Sequence, residues 1–199
     1  QNLGEEKKWQ EILDVAQKGL DYDANETTFY YLKSIAYLQK DQLNEVIKTI
    51  QTGMKRLPKE PNSNLVSDLY AILGDCLQKQ HRIKEAFEAY DSCLQWNGNN
   101  IECLNNYAYF LSESGKNLDR AAQMSLQTIQ AEPNNTTYLD TYAWILFQQK
   151  KFAEARLYID QALKNGNDST MSSVIFEHAG DIYIQLHQPK KAMEYRQQA

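Results

Sequence analysis

The sequence has no long apolar run. The longest stretch, Tyr142 to Phe147, is six residues in a chain of 199, where a membrane-spanning helix needs about 20. Mean hydropathy is −0.66, so no membrane span is expected, and no signal-peptide pattern opens the chain. Cysteine is scarce: Cys76, Cys93 and Cys103 are three in number, with no Cys-x-x-Cys. That excludes a disulfide framework. The three histidines, His81, His178 and His187, show no metal-ligand spacing. Glycine patterns that cradle phosphates are absent, as is a nucleophile elbow. The sequence therefore points to no metal, no cofactor and no catalytic residue, and to a protein that is not an enzyme. Basic excess is missing too. Lys and Arg number 21 against 26 Asp and Glu, a net charge of −5, which argues against nucleic acid as a partner.

Internal repetition is what the sequence does have. Ile12, Val46, Ala86, Ala121, Ala155 and Ala192 are spaced 34, 40, 35, 34 and 37 apart. Ser34, Gly74, Ala108, Ala143 and Gly180 follow at 40, 34, 35 and 37. A third series, Gly19, Gly53, Cys93, Thr128, Ala162 and Ala199, is nearly all small. A fourth, Ala24, Pro58, Gly98, Pro133 and Asn167, marks breaks. Self-similarity at such periods means a repeat architecture. Small residues at fixed points let two helices approach closely. Large residues between them, such as Leu73, Leu77, Phe87, Tyr90 and Leu94, keep helical spacing, and alternation of period two is nowhere sustained. Further breakers at Asp41, His81, Gly115 to Asn117, and His187 to Pro189 divide each unit into helix, turn, helix. One such unit cannot bury its apolar face alone, so neighbours must stack.

These residues resemble the tetratricopeptide repeat. Its 34-residue pattern asks for a large residue, Leu-Gly and Tyr in the first helix, and for Ala, an aromatic, Ala and Pro in the second. Tyr70, Leu73, Gly74, Leu77, Ala86 and Tyr90 match one repeat. Ala155, Ala162 and Leu163 match another, and Ala179, Gly180, Tyr183 and Ala192 the last. Lys33, Tyr107 and Tyr142 depart from a usual Leu, and Gly19 and Gly53 from a usual Ala. The resemblance implies an all-α fold, a right-handed α-solenoid of stacked helix-turn-helix repeats. It makes 1–199 a single array, with a lone second helix at 5–22 and helix pairs at 27–60, 61–100, 101–135, 136–169 and 170–199. No polar capping helix is visible at either end, so the chain reads as a piece of a longer repeat protein whose ends can self-associate. Tyr37, Tyr70, Tyr90 and Tyr183 fall on core positions of the pattern, and Cys76 and Cys93 on facing small-residue positions close enough for a disulfide that nothing requires.

In the resembled family the first helices line a concave groove. Carried onto this chain, the groove stripe holds seven carboxylates, Asp68, Asp75, Glu102, Glu113, Asp140, Glu177 and Asp181, with Lys79 as its one lysine. It also holds Tyr31, Tyr109, Trp144 and Phe147. Asn105 is reminiscent of the Lys/Asn clamp with which some members hold acidic peptide ends, but the lysines are missing. An acidic groove favours Lys or Arg, and aromatics add apolar area and cation–π contacts. The candidate binding residues are Asp75, Asn105, Tyr109, Asp140, Trp144, Phe147, Glu177 and Asp181. Two bland readings compete: Asp75 and Asp181 can serve helix contacts, and Trp144 can be partly core.

The function this implies is a protein-interaction scaffold for a peptide or partner segment with basic and apolar side chains. The alternatives are an accessory segment of a larger enzyme or envelope assembly protein, and a structural spacer that self-associates by its ends. Asn25, Asn134, Asn135 and Asn167 head formal glycosylation triplets in inter-repeat turns, where helix capping explains them. The stretches around Leu104 to Tyr109 and Tyr138 to Leu146 are similar to bacterial repeat proteins, many of them in the cell envelope. That implies a bacterial protein of the periplasm, envelope or cytoplasm.

Overall fold

The structure, a computed structural model, describes residues 2–199. Every regular element among them is an α-helix: α1 (Leu3–Tyr22), α2 (Thr27–Gln39), α3 (Leu43–Met54), α4 (Ser63–Lys79), α5 (Ile83–Trp96), α6 (Ile101–Glu113), α7 (Leu118–Ala131), α8 (Thr136–Gln148), α9 (Phe152–Asn165), α10 (Ser173–Gln185) and α11 (Pro189–Gln198). Two compact units result, one ending at Cys103 and one starting at Leu104. In the first, α2 packs on α1, α3 and α4, and α4 packs on α5. In the second, α8 packs on α7, α9 and α10, and α10 packs on α11. First helices of successive pairs therefore touch within each unit.

In the first unit, glycines of the small-residue registers are seats for aromatic rings. A Cβ added to Gly74 would lie 2.5 Å from Tyr90 Cε1, one on Gly53 2.8 Å from Tyr30 Cγ, and one on Gly19 2.4 Å from Phe29 Cζ. Gly19 and Gly53, which depart from the Ala of the resembled pattern, make room for these rings. Tyr90 and Tyr183 are fully buried, whereas Tyr37 and Tyr70 are only half-buried. Both of these buried phenols find an acceptor, as a buried hydroxyl requires. Tyr90 Oη donates to Asp75 at 2.5 Å, and Tyr183 Oη to Asp160 at 2.6 Å.

The turns inside the pairs share one device. Asp41, His81, Lys150 and His187 have φ of 56°, 58°, 63° and 58°. The next amide donates back across the turn, Gln42 N to Tyr37 O at 2.9 Å and Lys151 N to Leu146 O at 2.9 Å. This is a Schellman-type ending, which satisfies carbonyls the helix leaves open. The turn after α6 is longer and uses Gly115 and Asn117, at φ 69° and 55°. Of the inter-repeat asparagines expected to cap helices, Asn135 does so, whereas Glu26 rather than Asn25 caps α2 and Ser172 precedes α10. Asn62 accepts from Leu65 N and Asn135 from Tyr138 N, each at 3.1 Å. Asn167 folds its own loop, accepting from Ser169 N at 3.0 Å and Thr170 N at 3.2 Å.

The three cysteines are free and buried. Cys93 sits against Cys103 and against the Ser67 hydroxyl, 3.2 Å away. The disulfide pairing of Cys76 with Cys93 is not what the packing shows: the thiol facing Cys93 is that of Cys103. Its hydrogen bond to Cys93, then burial, push the Cys103 thiol up, and burial with Asp75 nearby pushes Cys76 up to about 11. Asn100 ties this region together. Its amide donates to Ser67 Oγ and Asp68 Oδ1, both at 3.0 Å.

Three outcomes test this packing. Gly74→Ala adds helix propensity of about 1 kcal/mol but drives a methyl into Tyr90, so urea unfolding should show a net loss of roughly 1–3 kcal/mol. Lys150→Gly relieves a left-handed non-glycine residue, so its stability should rise by about 0.5–1 kcal/mol. Burial and their carboxylate partners push the Tyr90 and Tyr183 phenols up. A group raised on folding stabilises fully below its unfolded value, and that contribution is lost progressively as pH rises from there toward the folded value. Thermal stability should therefore fall as pH passes about 10, and fall less steeply in Tyr90→Phe.

Candidate functional site

The acidic and aromatic residues that the register predicts on first helices do meet in the second unit. Asn105, Tyr109 and Glu113 lie four residues apart on α6, and Asp140, Trp144 and Gln148 four apart on α8. Helical neighbours at that spacing share a face. Trp144 Nε1 donates to Glu113 Oε1 at 3.1 Å. The Gln148 amide rests 3.1 Å from Ser112 Oγ. From α10, His178 Nδ1 lies 2.8 Å from Asp140 Oδ1. Both groups are buried, their side chains 9% and 12% exposed.

Trp144 is the centre of a three-ring stack. Phe147 covers one face, centroids 4.8 Å apart and planes 11° apart. His178 covers the other at 4.0 Å and 13°. Phe147 in turn tilts onto Phe152 at 5.4 Å. With both faces covered, Trp144 cannot offer a cation–π platform; it presents its edge and a fixed N–H. Tyr109 packs edge-on against Phe110. Burial, then Glu113 and Asp140, push its phenol up, so it stays a neutral hydroxyl at pH 7. Asn105 is 7% exposed, and its Oδ1 has no hydrogen-bond partner.

The remaining candidates sit differently. Asp75, in the first unit, accepts the Tyr90 hydroxyl and so serves the α4–α5 pair. Asp181 pairs with Arg196 of α11 at 2.9 Å. Glu177 is exposed on α10. The bland readings of Asp75 and Asp181 thus fit the contacts these two carboxylates make.

His178 is the residue that sequence reasoning missed. It follows Glu177, which was placed on the groove stripe, and it aligns in the repeat register with Asn106 and Thr141, polar residues at a position otherwise held by Leu32 and Ile72. That polar series was the available signal. Among the described residues no three His, Cys, Asp or Glu side chains converge as a metal site, and no helix is long and apolar enough to cross a membrane.

Residues 67–100 match the family model of the tetratricopeptide repeat. Two relatives from Pseudomonas aeruginosa are similar over three quarters of the chain. A TPR repeat-containing protein is 23% identical over 74% of this chain and 24% of its own length. The type IV pilus assembly protein PilF is 28% identical over 77% of this chain and 58% of its own. The chain thus spans from a quarter to somewhat over half the length of these relatives. Among solved structures, BtubC from P. vanneervenii superposes with a TM-score of 0.77 at 14% identity, covering 98% of this chain and 87% of that one. YrrB, described as a TPR protein with an unusual peptide-binding site, superposes at 0.65 with 19% identity, covering 92% and 84%.

The stack itself is testable. His178→Ala removes the partner of a buried carboxylate and one face of Trp144. It should lower unfolding free energy by roughly 1–3 kcal/mol and raise acrylamide quenching of tryptophan emission. Unchanged stability and quenching would contradict the geometry.

Proposed function

Since the chain has the fold of tetratricopeptide-repeat proteins and matches their repeat model at residues 67–100, we propose that it is a non-catalytic protein-interaction scaffold. Proteins of this fold generally mediate protein–protein contacts. The face formed by α6, α8 and α10 in the second unit takes a peptide or partner segment with basic and apolar side chains. One observation carries this reading: Asp140 and Glu113 are each held by a positioning donor, His178 and Trp144, with Glu177 exposed on α10. Fixed carboxylates in a cleft raise the local concentration of cations and select against acidic partners. Tyr109, Phe147 and the edge of Trp144 add apolar area for neighbouring side chains.

A second reading has its own support. The similarity to a pilus assembly protein, over part of that protein's length, favours a role as a repeat segment within a bacterial envelope assembly. The two readings are compatible, since such a segment would recruit its neighbours by the same face.

Peptides selected from a random displayed library, measured by fluorescence anisotropy, test the proposal. Selected peptides should be rich in Lys, Arg and apolar residues. The double change Trp144→Ala, Asp140→Lys should weaken them at least tenfold, since central anchors dominate binding energy. Asp168→Lys, at an exposed loop acid outside this face, should leave affinity within about twofold, as a change away from the contact does. Equal affinity for the double variant, with its helicity intact, refutes the reading.

A further inference from the structure

We propose that this face contains an arginine-recognition subsite, in which Asn105 Oδ1, the Tyr109 hydroxyl and the remaining oxygens of Asp140 and Glu113 receive one guanidinium. The inference rests on the groove reading above and narrows it to a side chain.

Asn105 supplies the decisive observation. The residue is 7% exposed, its Oδ1 is buried without a partner, and its amide nitrogen reaches only Asn106 Oδ1 at 3.4 Å. A buried acceptor left unpaired costs about 1–3 kcal/mol, and nearly all such atoms in folded proteins are paired. Within a helix the neighbouring backbone amides are committed to the ladder, so the missing donor has to come from outside the helix.

The surrounding groups ask for the same kind of ligand. Asp140 Oδ1 is engaged by His178, and Glu113 Oε1 by Trp144. Neither carboxylate has an ion pair with a lysine or arginine of the described residues. Tyr109, four residues from both Asn105 and Glu113 on α6, feels the charge of Glu113 and of Asp140. The repeat register sets Asn105 and Asp140 at equivalent positions, 35 residues apart on successive first helices. Tyr109 thus lies in the field of two carboxylates, one helical turn from Asn105. An anion would find no charged donor here.

Several separated acceptors favour arginine over lysine. A guanidinium is planar, carries five N–H donors in a fixed fork and is weakly hydrated, whereas an ammonium is a compact, strongly hydrated point charge. One arginine can reach the amide oxygen and a carboxylate at once. His178 and Trp144 act here as positioning residues. They hold the two carboxylates and leave the arginine to contact the free oxygens.

The test uses the isotopically labelled chain with three small probes: N-acetyl-arginine methylamide, the lysine analogue, and the neutral isostere N-acetyl-citrulline methylamide. The Asn105 side-chain amide and Trp144 indole N–H resonances report occupancy. The arginine probe should give saturable shifts at both. Citrulline should bind about tenfold more weakly, and lysine several-fold more weakly, as expected for loss of charge-assisted hydrogen bonds. Asp140→Asn should weaken arginine about tenfold. Asn105→Leu should weaken it several-fold while leaving the melting temperature unchanged or higher, since it removes an unpaired polar atom. Equal binding of citrulline and arginine overturns the subsite. So does the absence of saturable shifts at Asn105 and Trp144. If library-selected peptides still bind in a Trp144- and Asp140-dependent way, that failure belongs to the arginine subsite alone. If they do not bind, the groove reading falls with it.

Discussion

The first unit depends on aromatic rings seated on small residues of a facing helix. Tyr90 on Gly74, Tyr30 on Gly53 and Phe29 on Gly19 leave no space for a single methyl group. Helices held this closely have one rotational setting about their axes. That setting decides which side chains turn inward and which remain on the first-helix face. Dispersion and apolar burial supply the stabilisation, but the ring-on-glycine contacts supply the geometry. The repeat periods of 34 to 40 residues are the trace of that constraint along the chain. A repeat needs its seat and its ring at fixed places, and insertions fall between them. The lengthened α4, of 17 residues, and the longer turn after α6 show where the chain absorbs the extra residues.

Polar groups in such a stack must find partners inside it. Tyr90 with Asp75 and Tyr183 with Asp160 bury a phenol against a carboxylate. Asn100 gathers Ser67 and Asp68. Not all do: Gln78, Asn105, Ser125 and Gln149 each hold a buried oxygen without a partner, and Asn105 is the one on the second unit's first-helix face. There Asp140 meets His178 and Glu113 meets Trp144 without a lysine or arginine partner, and Asn105 carries an acceptor with nothing to accept. A stack built for stability alone would have no use for this arrangement. A surface prepared for a cationic side chain would.

Much of the fold was legible in the sequence, because it is written in residue size. Small residues and breakers at matched intervals identify helix pairs without reference to any partner. The left-handed turn residues were less so: Asp41, His81, Lys150 and His187 share a conformation but no chemical type, and only their common position betrays them. The face was half legible. Charge and aromatic content placed Asp140, Trp144 and Tyr109 correctly on first helices. Pairing across helices was not readable, since it depends on side-chain direction. Asp75 and Asp181 were drawn into helix contacts, and Trp144 was enclosed by Phe147 and His178. His178 was announced only by the polar series it shares with Asn106 and Thr141, which does not say what the side chain pairs with. Its partner lies 38 residues away.

The comparisons locate the fold more sharply than the role. Relatives of two quite different lengths contain this architecture, as expected when helix pairs are modules and function lies in the surface they carry. The central claim is therefore about one face. Hydrogen–deuterium exchange with a library-selected basic peptide addresses it most directly. Peptide-induced protection should concentrate in α6, α8 and α10, with Tyr109 and Trp144 at its centre. Protection confined to α1 through α5, or to α7, α9 and α11, would contradict the account.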